Sequence, residues 1–453
     1  MTDPDSYPHD PSRAGSGMTG PAIPFREAAR VWTRVALASF GGPAGQIAVI
    51  HRIIVEEKRW VREERFAHAL NYCMLLPGPE AQQLATYLGW LLHGTRGGLL
   101  AGSLFVLPGF LSILGLSLVY VCFGKVGLVT GILFGLKPAI LAIVVAALVH
   151  LGGRVLSGRL AHAIAAAAFL ALFVFRVPFP LVVVAAAIAG ALALPPGAKA
   201  AAPSPEPDRT LVRGHAAAPL RTLAVWLALW LLPVALLHLL PGVPRVFMTE
   251  AAFFSKMAVV TFGGAYAVLA YVAQQAVEIH RWLSPAEMLD GLGLAETTPG
   301  PLIMVVQFVG FLGAYRAPGT LDPILAGVLG SVLTTWVTFV PSFLFVLVGA
   351  PYVEALRQSR ALAGALRGIS AAVVGVILNL ALWFALHALF RDVGRVEAGP
   401  AALWVPVWSS VQAGAVAIAV AALVGVFRFR LSLFATLGGA AAAGAVLHAA
   451  GGS

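Results

Sequence analysis

The sequence predicts an all-α polytopic membrane protein of two inverted-topology repeats with broken or re-entrant helices, about 13 membrane segments in all. Three observations carry this prediction. The chain is 59% hydrophobic and 11% charged, with a mean hydropathy of +0.87, whereas ordinary soluble domains carry about 25% charged residues. Apolar windows of roughly 20 residues, enough to cross a hydrocarbon core, recur along it, LAGSLFVLPGFLSILGLSLVYVCF (100–123) among them. Finally, three motifs return at one fixed distance. Ser39-Phe40-Gly41-Gly42 pairs with Thr261-Phe262-Gly263-Gly264, Arg59-Trp60 with Arg281-Trp282, and Pro77-Gly78-Pro79 with Pro299-Gly300-Pro301, each 222 residues on (261 − 39 = 222).

Taken in order, residues 1–24 are polar and rich in Pro, Gly and Ser, and read as a disordered cytoplasmic tail without a signal-peptide pattern. Repeat 1 (25–195) holds segments near 28–55, 66–93, 98–122, 127–151, 160–176 and 178–195. A basic Pro/Ala linker (196–221) leads to a linking transmembrane helix (222–242) that has no partner in repeat 1. Repeat 2 (248–450) holds the partner segments near 250–278, 286–315, 320–348, 365–390, 404–427 and 430–449. Weaker echoes join Tyr87-Leu88-Gly89-Trp90 to Phe308-Val309-Gly310-Phe311 and Leu136-Lys137 to Leu366-Arg367. Six crossings return the chain to its starting side, so the linking helix starts repeat 2 from the opposite side, the arrangement that places transporter sites near the midplane.

Loop charge supports this topology in part. With the N-terminus inside, the linker, the Arg154/Arg159 turn and the Arg357/Arg360 loop fall inside, as the positive-inside rule asks. The loop carrying Arg52, Lys58, Arg59, Arg62 and Arg65 falls outside, which conflicts with the rule and makes the first segment a candidate for re-entry.

Composition also excludes functions. The formal charge of +10 is scattered through short loops and forms no basic face with interleaved aromatics, so nucleic acid is not an expected partner. Cys73 and Cys122 are the only cysteines; neither a disulfide framework nor a thiolate metal site is supported. His51, His68, His93 and His150 show no metal-ligand spacing. Without a nucleotide fingerprint, a haem motif or clustered cysteines, an enzyme such as a reductase is not expected, and no cofactor is implied.

The two breaks carry the chemistry. Proline removes a donor and clashes with the preceding turn, so Pro77, Pro79, Pro299 and Pro301 interrupt their helices, and irregular backbone at membrane depth is tolerated only against protein or a watery cavity. Each interruption leaves half-helix starts with free N–H groups and a partial positive charge, a place for an anion. Gly41-Gly42-Pro43 starts one half-helix with Gln46 close behind, and Pro79-Glu80 starts another carrying Gln82 and Gln83. In repeat 2, Gly263-Gly264 precedes Tyr266, and Thr297 and Thr298 stand before the second break. With Ser39, Thr261, Gly78 and Gly300, these form the expected substrate-binding set. Glu80 and Glu296 beside the breaks are proton-coupling candidates, with capping or interhelical hydrogen bonding as the structural alternative. Lys137 and Arg367 occupy matching positions and are expected to snorkel to the interface, with attraction of anions along the route as the alternative.

The stretch SFGGPAGQIAVIHRIIVEEKRWVREERFAHALNYCMLLPGPEAQQLATYLGWLLHGTRGG (39–98) resembles the signature of the chromate ion transporter family in its long-chain, two-domain form. TFGGAYAVLAYVAQQ (261–275) and LAETTPGPLIMVVQFVGF (294–311) are similar to the family's second-half signatures. The resemblance implies a multi-pass carrier of the cell inner membrane that exports chromate, with sulfate as a competing oxyanion, and so confers chromate resistance. An uptake carrier for sulfate or a related oxyanion, and an anion channel, are the rival expectations. A homodimer is left open. The family's Gly/Pro signatures map onto Gly41, Gly42, Pro43, Pro77, Gly78 and Pro79, and onto Gly263, Gly264, Pro299, Gly300 and Pro301. Repeat 2 has Ala265 where repeat 1 has Pro43, so the two half-sites are not strictly symmetric.

Overall fold

The computed structural model describes residues 23–124, 126–193, 219–262, 264–349, 359–399 and 401–451. Nearly all of the expected tail and linker, together with Gly263 and Arg357, lies outside the described residues.

Repeat 1 begins with α1 (Phe25–Ala38) and α2 (Gly42–His51), the latter widening into a π-helix at Arg52–Glu57. Between them Gly41 and Gly42 have φ of 81° and 74°, left-handed values that glycine adopts without a Cβ clash. Lys58 pairs with Glu27 at 2.9 Å and Arg34 with Glu57 at 2.7 Å, so the second arm returns beside the start of the first. The segment expected near 28–55 is thus a helical hairpin, and its basic loop comes back beside the start of α1. On the side expected for the N-terminus, a basic loop is what the positive-inside rule asks.

A second hairpin follows, made of α3 (Glu63–Cys73) and the first arm of α4 (Glu80–Phe123). Helix α4 folds at His93 and Gly94, whose φ values are −140° and 62°. Close approach of Gly89 to Gly97 and of Thr86 to Gly98 lays its two arms against each other. Helices α5 (Gly127–Val155), α6 (Gly158–Phe173) and α7 (Phe179–Ala193) complete the repeat, and α8 (Pro219–Leu239) links it to the next.

Repeat 2 runs through α9 (Arg245–Val260), α10 (Ala265–Ala273) with a π-helix at Gln274–Ile279, α11 (Pro285–Thr297), a 3-10 turn at Leu302–Met304, α12 (Val305–Arg316), α13 (Pro323–Gly349), α14 (Arg360–Leu389), α15 (Ala413–Arg428) and α16 (Leu433–Ala449). The segment expected near 286–315 is again two arms, since Arg316 at the end of α12 pairs with Glu287 at the start of α11 at 2.5 Å. Even unusual backbone recurs at 222 residues. The π-helices start at Arg52 and Gln274, and Arg59 and Arg281 hold positive φ of 52° and 53°.

One element departs from an all-α expectation. Strands β1 (Val393–Ala398) and β2 (Ala401–Pro406) form an antiparallel hairpin between α14 and α15, where repeat 1 passes from α5 to α6 through two residues, Leu156 and Ser157. Among the described residues, five helices, α4, α5, α8, α13 and α14, are long and apolar enough to cross a membrane. The chain is a multi-pass membrane protein.

The repeats exchange their last hairpins. Helices α6 and α7 pack on α14, and α15 and α16 on α5. Small residues allow this closeness, as they do between helices in lipid: Gly131 and Gly135 meet Ala440 and Gly444, while Gly364 and Gly368 meet Ala186 and Gly190. A Cβ on Gly368 would strike the Ala186 carbonyl and lie 2.8 Å from the Gly190 Cα. Gly368→Leu is therefore expected to destabilise the fold by about 3 kcal/mol through overpacking. Gly439→Leu, where nothing lies within 4 Å of the new Cβ, is expected to be neutral. Thermal unfolding in detergent compares the two, and equal unfolding temperatures would remove the exchange from the stability account.

Candidate functional site

Four interrupted segments meet inside the bundle in two reciprocal pairs. The Gly300 N–H donates to the Ser39 carbonyl at 2.8 Å, and the Gly78 N–H donates to the Thr261 carbonyl at 2.9 Å. Moving either bond by 222 residues and exchanging repeats gives the other. The two breaks of each repeat therefore close on those of the other repeat. Positive φ at Gly78 (127°) and Gly300 (99°) aims these N–H groups across the junction. The mid-helix prolines of α4 and α13 sit beside them: Gly109, after Pro108, packs on Gly300, and Ser342, after Pro341, packs on Gly78.

Around this junction the starts of α2 and α10 approach each other. Gly42 opens α2, and the position of a Cβ on it lies 3.6 Å from the Tyr266 hydroxyl, near the start of α10. That hydroxyl donates to Glu296 Oε1 at 2.6 Å. Glu296 is 1% exposed, and its Oε2 has no hydrogen-bond partner among the described residues. On the α10 side, no atom lies within 4 Å of a Cβ on Gly264, whose φ is 94°. Two helix starts, one tyrosine, one buried carboxyl and an open space thus lie together.

Much of the expected donor set is engaged in bracing the breaks. Gln46 Nε2 donates to the Gly300 carbonyl and Gln83 Nε2 to the Pro77 carbonyl, each at 2.7 Å. Gln82 Nε2 reaches Thr86 Oγ1 at 3.1 Å. Ser39 and Thr261 turn their hydroxyls back to the Val35 and Met257 carbonyls. Thr297 and Thr298 end a helix: their hydroxyls donate to the Leu294 and Ala295 carbonyls and close α11. Threonine competes for nearby carbonyls in this way at helix termini. Pro43 sits in the first turn of α2, while Pro79 and Pro301 precede the first residues of α4 and the 3-10 turn.

The backbone is paired, but its side chains are not. The counterparts of Tyr266 and Glu296 are Ala44 and Met74, and those of Glu80, Gln82 and Gln83 are Leu302, Met304 and Val305. Glu80 belongs to the Gly78 break and Glu296 to the Gly300 break, so the two carboxyls occupy unlike positions.

Lys137 does not snorkel. Its ammonium lies 3.3 Å from Asp290 Oδ1, and Tyr120 donates to Asp290 Oδ2 at 3.0 Å. A cation inside the bundle is held by a carboxylate that is itself 4% exposed. Arg367 is instead half-buried, with a guanidinium N–H donating to Ser157 Oγ at 3.3 Å. Removing one partner of a buried pair strands the other charge and costs about 3 kcal/mol or more. Asp290→Ala is expected to lower the yield of folded protein sharply, and Lys137→Met added to it to recover most of the loss; fluorescence size-exclusion in detergent reads both. Sequence reasoning passed over Asp290 and also Glu250, which is fully buried against Gly313 and Gly330 with both oxygens unpartnered. The available signal was a carboxylate within an apolar run.

These features define a class: a helical membrane protein in which interrupted segments of two repeats close on one polar centre. The chain belongs to the chromate transporter family, whose model matches residues 26–191 and 248–445. Over 379 residues it is 31% identical to the chromate transport protein of Pseudomonas aeruginosa, covering 81% of this chain and 83% of that protein. It is 27% identical over 385 residues to the chromate transport protein of Cupriavidus metallidurans, covering 84% and 88%. The probable chromate transport protein of Synechococcus elongatus is 24% identical over 361 residues, covering 79% and 84%. No solved structure matches the chain.

Proposed function

We propose that this chain carries chromate, with sulfate as a competing oxyanion, out of the cell across the inner membrane and thereby confers chromate resistance. The reciprocal closure of the four breaks, Gly300 on Ser39 and Gly78 on Thr261, is the observation that supports it. It brings the starts of α2 and α10 to one place, where two helix dipoles favour the same anion. Ser39, Gly41, Gly42, Gln46, Gly78, Gln82, Gln83, Thr261, Gly264, Tyr266 and Gly300 form the cradle, most of them by fixing the breaks and a few by facing the ion. The repeats are inverted, so that tilting one against the other exposes this cradle to either side in turn. Glu296 carries the coupling proton: its ionised form repels a dianion at the start of α2 and its neutral form admits one. Export of a dianion from a negative-inside cell also gains roughly 2.3 kcal/mol per charge per 100 mV.

Chromate uptake into everted vesicles, with an imposed potential or pH gradient, tests direction, ion and driving force together. Saturable uptake that sulfate inhibits is the expected result. Uptake confined to right-side-out vesicles would reassign the chain to import, and unsaturated current would make it a channel.

A further inference from the structure

Some distance from the four breaks, a cavity opens beneath the β-hairpin. It is lined by Arg176 after α6, by Tyr271, Gln274 and Glu278 along α10 and its π-helix, by Asn379 of α14, and by Arg395 of β1. The hairpin is pinned over it by the Ala402 N–H, which donates to the Val174 carbonyl at 2.9 Å. Two arginines therefore line one partly open space together with two amide side chains. Arg176 is held by Glu278 at 2.5 Å. Arg395 lies over the Trp404 ring at 5.9 Å and contacts Glu397 at 2.9 Å. The volume is about 30 Å³, room for roughly two waters measured to their centres. A π-helix is rare and concentrates at functional sites; here it supplies Gln274 and Glu278 at the cavity wall.

Helix α10 joins this cavity to the central site. Gln274 stands ten residues beyond Gly264, about 15 Å along a helix axis. In repeat 1 the π-helix recurs, but its Glu56 contacts His51 at 3.2 Å, and no hairpin intervenes between α5 and α6. The arrangement around this cavity is therefore not repeated at the π-helix of repeat 1.

We propose that this cavity is a vestibule subsite for a tetrahedral dianion, in which the ion displaces Glu278 from Arg176 and bridges Arg176 and Arg395 on its way to or from the four breaks. The subsite rests on the transport reading above. Guanidinium forks match tetrahedral oxyanions and hold them by charge-assisted hydrogen bonds. Glu278 acts as an internal competitor, occupying Arg176 when the ion is absent and easing its release.

The competitor gives the test opposite signs. Initial rates of chromate flux are measured in proteoliposomes against chromate concentration on each side, for wild type, Arg395→Gln, Arg176→Gln and Glu278→Gln. Either arginine substitution is expected to raise the half-saturating concentration about fivefold from one side only, with the maximal rate kept, as for loss of one charge-assisted contact. Glu278→Gln is expected to lower it from that same side. Unmoved half-saturation in all three variants, with normal wild-type flux, would leave the pocket to a lipid phosphate and overturn the subsite alone. A shift in the same direction for Glu278→Gln and Arg176→Gln would make the ion pair structural and also overturn it. Wild-type proteoliposomes that move no chromate would overturn the transport reading and the subsite with it.

Discussion

Gly300→Ala is expected to abolish flux while the protein remains in the membrane, and to do so more completely than Gly78→Ala. At φ 99° any Cβ is strained, at about 1–2 kcal/mol. The added carbon would also lie 3.1 Å from both the N and the Cα of Gly109. Those are backbone atoms inside α4, so relief requires moving the helix and stretching the bond from the Gly300 N–H to Ser39. At Gly78 the nearest atoms are Gln83 Nε2 at 2.6 Å and Ser342 Oγ at 2.7 Å, side-chain ends that can swing away. The expected order of residual flux is wild type, then Gly78→Ala, then Gly300→Ala, checked by vesicle uptake normalised to membrane content. Full activity of Gly300→Ala would detach the breaks from the mechanism.

The second large effect concerns Glu296. In wild type the half-saturating concentration for a dianion should rise with pH, because raising the pH ionises Glu296 and sets a negative charge against the ion. Glutamine cannot ionise, so Glu296→Gln should bind the ion equally well across the range and lose this pH dependence. At the highest pH the variant should bind about tenfold more tightly than wild type, a difference of ~1.4 kcal/mol. Its maximal rate should fall at the same time, since the repulsion that assists release is gone. Flux measured from pH 6 to 9 or so separates the two parameters. A wild-type pH profile retained by the variant would exclude Glu296 as the coupling group. Glu80, whose counterpart is Leu302 and which opens the first arm of α4, would then be the next to replace.

Duplication was legible in the sequence because both breaks and the Arg-Trp pairs lie in one register, and register survives even where side chains diverge. The hairpin at 28–55 was legible only as a charge conflict, because hydropathy measures burial and not direction, and a helical hairpin is as apolar as a crossing. The fold at His93 and Gly94 left no proline to mark it; one positive-φ glycine suffices. The partner of Lys137 was hidden by distance, since Asp290 lies 153 residues on (290 − 137 = 153). Residue type marked Thr297 and Thr298 as hydroxyls beside the break, but it does not reveal that they turn back to close α11. The β-hairpin was hidden by an apolar stretch, AALWVPVW (401–408), that reads equally as the beginning of the next helix.

The central claim is that the starts of α2 and α10 face one oxyanion. Ala44 is exposed in the first turn of α2 and is the counterpart of Tyr266, so a cysteine there lies within one turn of the helix start that the ion would occupy. Because chromate oxidises thiols, molybdate serves as the tetrahedral dianion, and alkylation of Ala44→Cys is followed by peptide mass spectrometry. Cys122, which is exposed at the far end of α4, provides an internal control, and Cys73 is buried. Molybdate should slow alkylation at position 44 several-fold and leave Cys122 unchanged; equal rates at position 44 with and without molybdate would contradict the account.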